Sequence, residues 1–223
     1  MIDRQIFFDK VRSSPFHGSL TVGQVDGMNR ILDEWIRSQM ADLRYLAYML
    51  ASCFHETAYT MQPIREMGGE TYLRSKPYYP WVGEGLVQVT WEANAKKFGA
   101  TAPGQLLFWP ACLRPLFDGM TRGMFTGKRL SDYFNATTDD PVNARRIING
   151  TDRAALIAGY HNEFLTAIKG AHKLDTAAPV PPPPLPVPPV ATIPVPTAPA
   201  SPLAPVPVRT GWQKFWDWFF GKV

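Results

Sequence analysis

The chain has 223 residues, 45% of them apolar, and a formal net charge of +4, enough for one ordinary domain plus an appendage. Residues 1–175 carry 20 Lys and Arg against 18 Asp and Glu, without the clustered basic face that nucleic-acid binding requires. No run of about 20 apolar residues occurs that would cross a membrane as a helix, and Cys53 and Cys112 are too few for a disulfide scaffold, so two reduced core thiols are expected.

In chain order, residues 3–12 form a short amphipathic segment carrying Ile6, Phe7, Phe8 and Val11. Thr21 and Gln24 have the spacing of a capping box. Behind them Val25, Met28, Ile31, Leu32 and Trp35 recur at helical intervals. Asp42 is a plausible N-cap for "LRYLAYMLASCFHE", an apolar helix that ends on His55-Glu56. Residues 67–85, rich in Gly, Pro and Tyr, read as loop. "GLVQVT" reads as a short strand or extended piece. "DPVNARRIING" predicts a helix with Pro141 in its first turn and Gly150 beyond its end. A last helix follows, with Thr151 as cap and Gly170 as stop. There is too little β signal for a sheet-based fold, so the fold class expected is mainly α.

The composition then changes. Residues 179–208 hold 14 of the 22 prolines, and no charged residue lies between Asp175 and Arg209. Proline lacks the N–H and fixes φ, so 176–208 reads as an extended polyproline linker. Fully stretched, residues 179–208 would reach about 90 Å. In the tail, 209–223, helical spacing puts Trp212, Phe215, Trp216 and Phe219 on one face. That pattern suits contact with a membrane surface through 211–223, or a fold-back onto the domain.

The stretch "CFHETAYTMQPIRE" sets His55, Glu56 and Glu66 close together in the chain. A zinc site would need H-E-x-x-H, but position 59 is Tyr, and His17, His161 and His172 have no ligand-like spacing to His55. No metal site or cofactor is expected. A second reading is purely structural, a His-Glu pair closing a helix end. A third is a pair of carboxyl groups for glycoside hydrolysis, one protonating the leaving oxygen and one activating water. Desolvation at an apolar helix end suits an acid, and Arg65 beside Glu66 suits a base. "GEGLVQVTWEAN" favours the third reading. Gln88 and Asn94 carry donors and acceptors for sugar hydroxyls and N-acetyl groups, and Thr90 can hold a water.

Together, "HETA", "QPIRE" and "GEGLVQVTWEAN" resemble glycoside hydrolase family 19, most closely its single-domain phage and bacterial lysins. The resemblance runs over residues 20–170. It implies a two-lobed, lysozyme-like helical domain with a central cleft over 1–175. It implies Glu56 as general acid, Glu66 as base, Thr90 as the residue orienting water, and His55, Gln88, Asn94 and Asn149 as the substrate-binding set. Two departures stand out. Glu84 occupies the place of the Arg in the family's G-R-G element, and Ala95 that of an aromatic. Glu70 and Glu84 are therefore rival bases. The activity implied is hydrolysis of β-1,4 bonds in peptidoglycan by a monomer, with chitin as the alternative substrate and a catalytically inactive sugar-binding module as the alternative role. The N-terminus shows no apolar signal region. Synthesis in a bacterial cytoplasm, and action on the periplasmic wall after the membrane is breached, are expected.

Overall fold

A computed structural model of the chain describes residues 1–172. The Pro-rich segment 176–208 and the tail 209–223 lie outside the described residues.

The first helices form where their caps predict. Helix α1 (Arg4–Ser13) starts at Asp3, whose side chain accepts the Ile6 N–H at 3.2 Å, and it buries Phe7 and Val11. Helix α2 (Val22–Ser38) begins with the capping box. The Gln24 N–H donates to Thr21 Oγ1 at 3.1 Å, and the Thr21 N–H donates to Gln24 Oε1 at 2.8 Å. Helix α3 (Leu43–Glu56) is capped by Asp42, which accepts the Arg44 N–H at 3.0 Å. Every residue of α3 from Leu46 to Glu56 is buried, so α3 is the central helix rather than an amphipathic surface one.

Strand β1 (Ile64–Arg65), helix α4 (Gly69–Arg74), strand β2 (Glu84–Gly85) and helix α5 (Glu92–Lys97) follow. β1 and β2 pair antiparallel, with Ile64 opposite Gly85 and Arg65 opposite Glu84. Then come a 3₁₀ turn at Gln105–Leu107, a π turn at Pro115–Gly119, α6 (Met120–Arg122), α7 (Leu130–Tyr133) and a 3₁₀ turn at Asn143–Ile147. Helix α8 (Ala154–Ala171) makes the most extensive helix pairing with α3 and also packs on α1. The described residues are mainly helical, with one two-stranded sheet. One large core surrounds α3, and a smaller cluster gathers Leu73, Tyr78 and Val82.

Four local expectations are corrected. The stretch 67–85 is not all loop, since it holds α4 and runs into β2. "GLVQVT" is a tight turn, not a strand. Glu84 and Val89 exchange backbone hydrogen bonds at 3.1 and 2.9 Å across it, and Leu86, Val87 and Val89 are all buried, so nothing alternates. Around Pro141 the chain forms only a 3₁₀ turn, because Asp140 accepts the Asn143 N–H at 2.9 Å and starts the turn late. Helix α8 starts after Arg153 (φ +56°), not at Thr151. It runs through Gly170, where a Cβ would run into the Lys10 side chain.

Candidate active site

Glu56 is the last residue of α3, where the exposed carbonyl ends of a helix repel an anion. A carboxylate buried there needs a counter-charge. Arg145, from the 3₁₀ turn 143–147, supplies it. Its Nη1 donates to Glu56 Oε1 at 2.7 Å, with the two side chains only 4% and 6% exposed. Arg145 Nε also donates to the Asp152 carbonyl at 3.1 Å. Glu56 Oε2 accepts no hydrogen bond from a described residue. Arg145 is the residue of this candidate site that sequence reasoning missed. Its signal was the need of Glu56 for a cation. Of the pair in "ARRI", Arg145 is buried and Arg146 exposed.

The turn after Glu56 is strongly constrained. Thr57, fully buried, donates its hydroxyl to the Cys53 carbonyl at 2.7 Å and accepts the Met61 N–H at 3.0 Å. Ala58, Tyr59 and Met61 all have positive φ, a conformation that costs a non-glycine residue roughly 1–3 kcal/mol and persists only where its surroundings over-determine it. Helix α2 does so here. Gln24 Nε2 donates to the Tyr59 carbonyl at 3.0 Å, and Gln62 Nε2 to the Gly23 carbonyl at 2.6 Å. Gly27 lets the turn approach, since a Cβ there would run into the Met61 carbonyl oxygen.

Glu66 follows β1. Its N–H donates to the Gly83 carbonyl at 2.6 Å. Its carboxylate is held at both oxygens, Oε1 accepting from the Tyr78 hydroxyl at 2.8 Å and Oε2 from the Gly83 N–H at 2.9 Å. Gly83 also sets Glu66 beside Gln88. A Cβ on Gly83 would lie 2.7 Å from Gln88 Oε1 and 3.4 Å from Glu66 Cβ. Gln88 (φ +53°) donates to the carbonyls of Ile64 at 3.0 Å and Gly85 at 3.2 Å. From Gln88 a polar chain runs on. Thr90 Oγ1 donates to the Gln88 carbonyl at 3.1 Å, Asn94 Nδ2 to the Thr90 carbonyl at 3.0 Å, and Lys97 Nζ to Asn94 Oδ1 at 3.1 Å.

Glu56, Gln88, Thr90, Asn94 and Asn149 line one cleft. Val87, Val89, Phe125 and Ile148 complete its walls. The enclosed part measures about 10 Å³ for the centre of a water, room for roughly one water molecule. Asn149 is set by the Arg145 turn, its N–H donating to the Arg145 carbonyl at 3.0 Å. Five of the seven expected site residues thus share this cleft, whereas Glu66 and His55 are not among the lining residues.

His55 is buried. Burial first, then the Arg145 and Arg153 cations, hold its pKa down at about 3, so the ring is neutral at physiological pH. Glu70 is exposed, paired with Arg65 and Arg74 at 3.1 Å each, and accepts from the Tyr79 hydroxyl at 2.8 Å. The Tyr79 hydrogen bond, then that of Arg65, holds its pKa below the usual carboxylate value. Glu84 accepts the Gly104 N–H at 2.5 Å and does not line the cleft, and burial pushes its pKa up. Ala95 belongs to the core. Cys53 and Cys112 are free and buried. Among the described residues, no group of three or more His, Cys, Asp or Glu is placed to hold a metal ion, and no helix is long and apolar enough to cross a membrane.

The chain matches no family model, and neither a curated protein nor a solved structure matches it.

Proposed function

We propose that the chain is a glycoside hydrolase that cleaves β-1,4 bonds in peptidoglycan with inversion, through a lysozyme-like cleft. One observation carries the reading. A buried, ion-paired Glu56 opens onto the same cleft as Gln88, Thr90 and Asn94, from one segment, and Asn149, from a distant one. A structural His-Glu pair closing a helix end would not need them. Gln and Asn suit the hydroxyl and N-acetyl groups of the glycan, and the apolar walls suit sugar ring faces.

In this scheme Arg145 fixes Glu56 through Oε1, and Oε2 takes up a proton from solvent before giving it to the glycosidic oxygen. Glu66, oriented by Tyr78 and Gly83, takes a proton from water. The oxygen of that water bonds to the anomeric carbon as the bond to the leaving oxygen breaks. Thr90 orients the water. An inverting pair requires about 6.5–9.5 Å between its carboxyl groups, to admit the water. Chitin offers the same linkage and remains the alternative substrate. The likeness of its motifs to those of phage and bacterial lysins supports action at the cell wall after synthesis inside the host cell.

Digestion of purified peptidoglycan tests the reading. New reducing ends without new free amines are expected from the wild type. Glu56→Gln keeps the side-chain shape and is expected to lower the rate about 10²–10⁴-fold, with an unchanged circular dichroism spectrum. A Gln variant retaining more than about a tenth of the rate would remove Glu56 from the role of acid. First products with retained anomeric configuration would overturn inversion.

A further inference from the structure

A second concavity, a groove of about 440 Å³, opens between the segment after α1, the end of α3 and the middle of α8. Aromatic rings build it. Phe16 meets Phe54 edge-on at 4.9 Å, and Phe54 lies 4.4 Å from Tyr59 and 4.8 Å from Tyr160. The Tyr59 and Tyr160 hydroxyls join at 3.1 Å. Ser19 and Thr21 place hydroxyls on the exposed rim. No Asp, Glu, Lys or Arg lines the groove, His17 at its exposed edge is its one imidazole, and none of its residues lines the Glu56 cleft.

An aromatic groove without carboxylate, ammonium or guanidinium groups, edged by hydroxyls, fits a ligand that is apolar, uncharged and rich in backbone carbonyls lacking internal donors. Polyproline is that ligand, and aromatic-lined grooves are its usual receptors. This chain carries one. Residues 179–208 hold 14 prolines and no charge, and Pro183-Pro184-Leu185-Pro186 has the P-x-x-P spacing. The reach is sufficient. Tyr160 lies about 18 Å along α8 from His172, at about 1.5 Å rise per residue. Residues 173–178 extend up to about 20 Å.

We propose that this groove is the docking site for the Pro-rich segment of the same chain, with residues 181–189 as its occupant. Tethering supplies an effective concentration in the millimolar range, so a weak contact suffices. Docking also touches the catalytic side of the fold. Tyr59 stands in the turn that follows Glu56, and Gln24, which holds the Tyr59 carbonyl, lines the same groove. The inference does not depend on the reaction proposed above.

The test uses the full chain and a full-chain variant combining Pro181→Ser, Pro183→Ser, Pro184→Ser and Pro186→Ser. These positions lie outside residues 1–172, so none of the described residues is altered. A synthetic peptide of residues 179–190 is titrated into each, and the ring signals of Tyr59 and Tyr160 are followed by NMR. Saturable shifts are expected in the substituted chain. The apparent affinity for the unsubstituted chain should be at least about 10-fold weaker, because its own segment competes. Equal affinity for both chains, or no shift in either, overturns the proposal. Shifts produced by an N-acetylglucosamine oligosaccharide and not by the peptide overturn it too, and make the groove a glycan subsite.

Discussion

Replacing Arg145 by Met removes the only described ion-pair partner of Glu56 while keeping most of the side-chain volume. The carboxylate is then buried at a helix C-terminus facing partial negative charge, an arrangement that typically costs 3–5 kcal/mol. The hydrogen bond to the Asp152 carbonyl, 3.1 Å in the wild type, adds about 0.5–1.5 kcal/mol. For a domain of this size, a loss of 3–5 kcal/mol corresponds to a fall in Tm of roughly 6–20 °C. An exposed pair sets the scale. Lys96 and Glu92 lie 2.7 Å apart with both side chains more than half exposed, and Lys96→Met should cost about 0.3–0.5 kcal/mol. The sharper expectation is a reversal of sign. Glu56→Gln added to Arg145→Met removes the stranded charge, so the double variant should be more stable than Arg145→Met alone by at least about 1 kcal/mol. Urea unfolding of the four proteins closes the cycle. A double variant as unstable as the two single changes summed would show that the pair is not coupled. Arg145→Met within about 1 kcal/mol of wild type would show that Glu56 needs no counter-charge.

Gly27→Ala should gain up to about 1 kcal/mol of helix propensity, yet lose more through its clash with the Met61 carbonyl. A net loss of about 1–3 kcal/mol by urea unfolding is expected, and a stabilised variant would mean that the turn is free to move. His55 and His161 have folded pKa values held down to about 3 and about 4, chiefly by burial, against 6.5 when unfolded. The unfolded chain therefore binds more protons below pH 6.5. Stability should fall as the pH drops from 6.5 toward 4, by up to about 1.4 kcal/mol per unit for each ring, and flat stability between pH 7 and 5 would contradict this. Glu84 has the opposite sign. Its raised pKa favours the protonated form in the fold, so its contribution is present below 4.5 and lost as the pH rises. Glu84→Gln keeps an acceptor for the Gly104 N–H and should raise stability at pH 7 while leaving it nearly unchanged at pH 4. A loss at pH 7 would mean that the charge itself holds the loop.

What was legible in the sequence is what local chemistry decides. The Thr21-Gln24 box and the Asp42 cap lie within three residues of the groups they satisfy, and the apolar run into Glu56 announces a buried helix end. What was not legible depends on distant partners or on backbone conformations that residue type does not advertise. Arg145 stands 89 positions from Glu56, and only the cost of burying an anion points to it. Of the eight non-glycine residues with positive φ among the described residues, five (Ala58, Tyr59, Met61, Gln88 and Trp91) fall between Glu56 and Asn94. In "GLVQVT" Gly85 (φ +86°) marks only the start, and the second positive φ falls on Gln88, so the stretch reads as a strand when it is a tight turn. Glu84 shows the same limit in side-chain direction. Its neighbours in "GEG" suggest a charge at the cleft, yet the pairing of β2 with β1 and the Gly104 N–H direct its carboxylate elsewhere. Local preference is overridden most densely around the residues that share the cleft, and strain of that kind survives where a site must hold side chains in one arrangement. Gly83 illustrates why: a methyl group there would lie 2.7 Å from Gln88 Oε1 and force that amide aside, so its position beside Glu66 rests on an atom that is missing.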